Sequence, residues 1–120
     1  WLDWERGHVG DRHRDLAWTG LTLFGNTDPD GSLWVCGLVR EQEFFDRYAE
    51  LTGAPVEPEK LHFYRVFNAY QLVVSNFATA YRVLKLHKSH QDVLLAFVEG
   101  AVYPLARQML LELEAGPRVR

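Results

Sequence analysis

Apolar positions recur along this chain with helical spacing, separated by short polar stretches rich in Gly, Pro and Asn. From Asp11 to Phe24, residues Leu16, Ala17, Gly20, Leu21 and Phe24 fall on one face of a helix. Gly25-Asn26 stops it, and 26–32 reads as a turn-rich loop. A second helix is predicted from about Leu38 to Thr52, with Phe44, Phe45, Tyr48 and Leu51 as its apolar stripe. Its acidic residues Glu41, Glu43, Asp46 and Glu50 are expected to face water, and Gly53 suits the position just past its end. Pro58 suits the first turn of a third helix, which runs to about His87. That helix is apolar nearly all round, from Leu61 to Leu84, so it is expected to be buried on most sides. A fourth helix is predicted from Ser89 to Ala115, ending at Gly116-Pro117, with Asp92 in its first turn. Pro104 inside it should kink or split it. The opening Trp1–Glu5 reads as the end of a buried strand. The fold class expected is therefore mainly α, with a short strand remnant at the N-terminus.

The chain has 120 residues, the size of one domain. Its 48% apolar and 24% charged composition excludes global disorder and a disulfide-rich scaffold. A net charge of −3 argues against a nucleic-acid partner. No apolar run reaches the roughly 18 residues of a membrane span, so no membrane partner is expected. Cys36 is the single cysteine, which suits a reducing, cytoplasmic setting. It lies in the apolar stretch 33–36 and is expected to be a small buried hydrophobe. Trp34, Tyr64 and Tyr70 are likewise expected in the core. The charge is uneven: residues 1–60 carry six basic and twelve acidic groups, residues 61–120 seven and four.

Candidate chemistry gathers near the N-terminus. Asp3 stands where a strand gives way to a loop, a place where carboxylates commonly hold ligands or Mg²⁺. Asp15 falls in or just before the first turn of the first helix, where it is expected to act as a helix cap. His13 lies close enough to this loop to face a substrate. Arg65, Asn68, Gln71, Ser75 and Asn76 place polar groups among the aromatics of the third helix, to contact a bound acceptor or to make core hydrogen bonds. The histidines, including His87 and His90 at i, i+3, lack the roughly four N or S donors of a zinc site.

Three short motifs occur in order: Leu2-Asp3-Trp4-Glu5, Gly10-Asp11, and Asp15-Leu16-Ala17-Trp18. Together they resemble the aminoglycoside phosphotransferase and choline-kinase-like enzymes of protein-kinase-like fold, in the branch related to domains fused to acyl-CoA dehydrogenases. The motifs span about 18 residues, and the helical remainder is compatible with the resemblance. The resemblance implies the helical part of the C-terminal lobe of such an enzyme, over residues 1–120. It implies ATP and Mg²⁺ as cofactors and γ-phosphoryl transfer to the hydroxyl of a small molecule. Asp3 matches the metal-binding aspartate, and Asp15 matches an aspartate that braces the catalytic loop. Glu5 follows the metal aspartate, within reach of a second ion or a basic group. Arg12 departs from the family's proline after Gly-Asp. The family's catalytic loop and nucleotide-binding lobe lie upstream of the metal aspartate. The chain is thus expected to be a C-terminal piece, inactive alone, whose missing N-terminal part packs on the apolar third helix. The competing expectations are a non-catalytic helical interaction module, such as a degenerate kinase lobe, and an independent bundle that binds an apolar ligand.

Overall fold

A computed structural model of the chain describes residues 7–86 and 92–117. The expected strand at Trp1–Glu5, with Asp3 and Glu5, lies outside the described residues, as do Ser89, His87 and His90. The order is α1 (Arg12–Thr19), β1 (Asn26–Thr27), β2 (Leu33–Val35), β3 (Val39–Arg40), α2 (Glu41–Thr52), α3 (Pro58–Leu86) and α4 (Asp92–Ala115). The chain is mainly helical, with one small antiparallel sheet in the order β1-β2-β3.

Helix α1 begins at a well-made cap. The Asp11 side chain accepts from the backbone N–H of His13, so Asp11, not Asp15, is the N-cap. Asp15 sits exposed one turn further on. The helix ends at Thr19, short of the predicted Phe24. The apolar spacing continues because tight turns take over: Gly20, Leu21 and Phe24 each donate to the carbonyl three residues back. Leu21 is thereby fully buried, whereas Phe24 is exposed.

The sheet occupies residues predicted as loop and helix start. Asn26 pairs with Trp34 and Thr27 with Leu33, and Trp34 pairs with Arg40 and Val35 with Val39. Asp28 ties the strands together, accepting from Trp34 Nε1 at 2.8 Å and from Arg40 Nη2 at 3.2 Å. A side chain on Gly25 would meet the carbonyl oxygen of Trp34 at 2.5 Å, so only glycine permits this close backbone approach. Cys36 stands in the β2–β3 turn with φ 51°, the one described non-glycine residue of positive φ. It is exposed, contrary to its expected burial, because a turn tip points its side chain at solvent.

Helix α2 ends as expected, with Gly53 left-handed at φ 66° and its N–H bonded to the Ala49 carbonyl. Helix α3 follows the prediction from Pro58 almost to its end. Helix α4 runs through Pro104 as one element and is not split. The core forms two clusters along α3. Leu16, Ala17, Phe45 and Leu61 join α1 and α2 to its start. Leu21, Ala69 and Leu105 join the end of α1 and α4 to its middle. The face of α3 away from these clusters is not covered: Phe63, Tyr70 and Phe77 are all more than half exposed. Tyr70 therefore leaves the expected core, and α3 is buried on fewer sides than its composition predicts.

Candidate functional site

The N-terminal turn of α1 is held by three successive side chains. Arg12 donates from Nη2 to the Pro55 carbonyl at 2.7 Å. His13 is 1% exposed, and both ring nitrogens are bonded. Its Nε2 accepts from the backbone N–H of Glu57 at 2.9 Å, and its Nδ1 lies 2.6 Å from Asp11 Oδ1. An accepting Nε2 leaves the proton on Nδ1, so the ring is a neutral Nδ1–H tautomer donating to the carboxylate. The two His13 hydrogen bonds, backbone first and ring second, hold the Asp11 carboxyl below its ordinary 3.8. His13 thus braces the fold and does not present a free ring nitrogen to a ligand.

Arg14 is where the two candidate residues of α3 meet α1. Gln71 Oε1 accepts from Arg14 Nη2 at 2.8 Å, and Asn68 Nδ2 donates to the Arg14 carbonyl at 2.9 Å. The guanidinium also lies 2.7 Å from His8 Nε2 and 5.3 Å from the centre of the Phe67 ring. Asn68 is fully buried, and its Oδ1 is buried without a hydrogen bond. The structure therefore brings together His13, Asn68 and Gln71 at one end of α1, beside the exposed Asp15. Arg14, which sequence reasoning passed over, joins Asn68 and Gln71, while Arg12 and His13 tie the same end of α1 to Pro55 and Glu57.

A second polar cluster lies between α2, α3 and α4. Glu41, expected to face water, forms an ion pair with Arg65, and each side chain is 14% exposed. His62 Nδ1 stands 3.7 Å from Glu112 Oε2 on α4. Clefts of about 230 and 190 Å³ open near the Glu41–Arg65 pair, one toward Pro55 and Pro58, the other toward Thr22, Gln108 and Glu112. Arg65 Nε is buried without a hydrogen bond. One signal pointed here: Arg65 is the single charged residue between Leu61 and Tyr81, and such a charge in an apolar helix needs a partner. Gln108 completes the frame. It accepts from the Thr22 N–H and hydroxyl and donates to the Gly20 carbonyl, pinning α4 to the end of α1.

Among the described residues no group of three or more His, Cys, Asp or Glu could hold a metal ion. The metal ligand implied by the resemblance, Asp3, lies outside them. Among the described residues no helix is long and apolar enough to cross a membrane. Comparison with protein-family models, with curated proteins and with solved structures finds no match to this chain.

Proposed function

We propose that the chain is the helical part of the C-terminal lobe of a cytoplasmic, ATP- and Mg²⁺-dependent phosphotransferase that acts on the hydroxyl of a small molecule. The observation that carries this reading is the start of α1. In the resembled enzymes the motif runs Gly-Asp-Pro and then Asp-Leu-Ala-Trp. Here Gly10 precedes the cap, Asp11 is the N-cap, and Arg12 holds the first helical position. That first position is the one proline favours, because its missing N–H has no helical partner in any case. Arg12 thus stands at a helical position that accepts proline, and its side chain bonds the Pro55 carbonyl.

The exposed Asp15 supports the same reading. Among the described residues it makes no hydrogen bond, so its carboxylate is free to brace a neighbouring loop. Arg14, Asn68 and Gln71 form a rigid polar floor at the same end of the helix. In the complete enzyme a Mg²⁺ ion would supply charge neutralisation at the transferred phosphoryl group. Asp3 is the ligand we assign to it, and Glu5 follows two residues on in the sequence. The general base lies outside this chain, so the 120 residues alone are inactive.

The test is a complete protein carrying this segment, assayed with ATP, Mg²⁺ and a panel of small alcohols. Turnover that Asp3→Asn reduces by orders of magnitude is expected. Full activity in Asp3→Asn, or Mg²⁺-dependent turnover by the 120-residue chain alone, would defeat the assignment. The uncovered face of α3 favours a second reading, a helical interaction module without catalysis. That reading predicts no turnover in any length of the protein.

A further inference from the structure

The uncovered face of α3 has an order of its own. Its exposed members are Phe63, Phe67, Tyr70, Val74, Phe77 and Tyr81, each with 37–59% of its surface open to solvent. Their spacing alternates four and three residues, the repeat by which one helix packs its side chains between those of another. The seam runs about 27 Å along the helix at 1.5 Å per residue. Helices α1 and α4 pack mainly on the other side of α3, through Asn68 and Ala69, and Arg14 of α1 borders the seam at Phe67. Arg65, the only Asp, Glu, Lys or Arg between Leu61 and Tyr81, is turned away into its ion pair with Glu41.

The seam also reads the same in both directions. About a centre at Leu72, Phe63 mirrors Tyr81, Phe67 mirrors Phe77, and Tyr70 mirrors Val74. One step beyond the apolar ends, Glu59 mirrors Lys85, and both are exposed. Two copies laid antiparallel about a two-fold axis would stack these pairs in layers and bring each Glu59 to the other copy's Lys85. We propose that the seam on α3 is a self-complementary interface, occupied by a second copy of this chain in antiparallel orientation.

Three observations favour this occupant over others. The end charges are opposite, so the antiparallel register attracts, while a parallel one sets Glu59 against Glu59. A two-fold interface needs a patch complementary to itself, which a mirrored seam provides. The area is also adequate. Five aromatic rings, each burying about 150–250 Å² when covered and here roughly half open, offer on the order of 500 Å² per copy. A standard specific interface takes about 800 Å² per partner, of which the rings alone offer more than half. The inference uses none of the residues assigned to phosphoryl transfer, but it gives the α3 face to a second copy in place of the N-terminal part expected there, and the oligomeric state decides between the two.

Sedimentation equilibrium of the 120-residue chain from low to high micromolar concentration tests it. A reversible monomer–dimer equilibrium is expected. Val74→Glu should give a monomer with an unchanged helical circular dichroism spectrum, since Val74 is exposed. Glu59→Lys and Lys85→Glu should each weaken the dimer about threefold or more at low salt, because each removes two symmetric ion pairs. The double exchange E59K/K85E should return the affinity to about the wild-type value. The exchange also decides the matter should Val74→Glu misfold. A monomer at all concentrations would overturn the proposal, the seam then belonging to another segment of a longer polypeptide or to a different partner. A dimer unaffected by Val74→Glu, or a double exchange no better than the single ones, would overturn it equally.

Discussion

His13 at the start of α1 accepts a hydrogen bond from the backbone N–H of Glu57, 44 residues away, at 2.9 Å. The same ring donates to Asp11, so one neutral histidine closes the α1 cap and fixes the entry to α3. Replacing it leaves the Glu57 N–H and the Asp11 carboxylate without their partner. His13→Phe, which keeps a ring but neither bond, should lower stability by about 1–3 kcal/mol. Thermal unfolding would then shift down by about 4–12 °C, on the usual scaling for a domain of this size.

Acid should loosen the same joint. The His13 backbone and ring bonds hold the Asp11 carboxyl below 3.8, and a lowered native value means the unfolded chain binds the proton first. Its contribution is full above 3.8 and is lost as pH falls through the lowered native value. Asp30, bonded by Ser32, and Glu57, bonded by Lys60, are lowered too and act in the same direction. Lys60 is raised above 10.5 by Glu57, so its contribution is full below 10.5 and is lost as pH climbs through the raised value. Melting temperatures measured against pH should therefore fall at both extremes. Asp11→Asn should flatten mainly the acid limb, and Glu57→Gln should flatten both.

These joints explain what was legible beforehand. Helix α3 was readable because Pro58 opens it and a long apolar run carries it, and the end of α2 because Gly53 takes a left-handed φ of 66°. The sheet was not, because strands of two or three residues are too short to show alternation. Asp11 and Asp15 are both acidic residues near a helix start, and only the bond to the His13 N–H distinguishes the cap. His13, Asn68 and Gln71 were singled out by residue type. That Arg14 unites the last two depends on contacts 54 and 57 residues apart, which local pattern does not encode.

Asp15 separates stability from chemistry. It is exposed and lies in the first turn of α1, where a carboxylate gains only a few tenths of a kcal/mol from the helix dipole. Asp15→Asn should leave unfolding within about 0.5 kcal/mol of wild type. In a complete phosphotransferase, the same change should lower kcat at least tenfold if Asp15 braces the catalytic loop. Unchanged turnover would return Asp15 to the role of a solvated surface carboxylate.

Gln108 is 8% exposed and makes three hydrogen bonds to the turn after α1. Its amide both accepts and donates, which no apolar or carboxylate side chain reproduces. Gln108→Leu keeps the approximate volume but strands the Thr22 N–H and the Gly20 carbonyl, at a cost of about 1–3 kcal/mol. Gln108→Glu should cost at least as much, because it loses the donor and sets a carboxylate against the Gly20 oxygen. Chemical denaturation of both variants, with an unchanged slope, would show that the native state is lowered in stability and not reorganised.

The Glu41–Arg65 pair makes the sharpest energetic prediction, because the two groups are nearly removed from water. Their attraction offsets the cost of desolvating both, so the pair is worth little beside two apolar residues of the same volume. Removing one member is different, since the other charge is then left largely out of water without its direct partner. Glu41→Leu and Arg65→Met should each destabilise by about 2–4 kcal/mol, just below the range for fully buried pairs. The double variant should lose clearly less than the sum, and the coupling in that cycle measures the pair directly. Arg65→Lys is the control for geometry. A lysine keeps the charge but not the planar fork, so it should recover only part of the loss. Full recovery by lysine would mean that the charge alone matters and that the fork gives the joint between α2 and α3 no added precision.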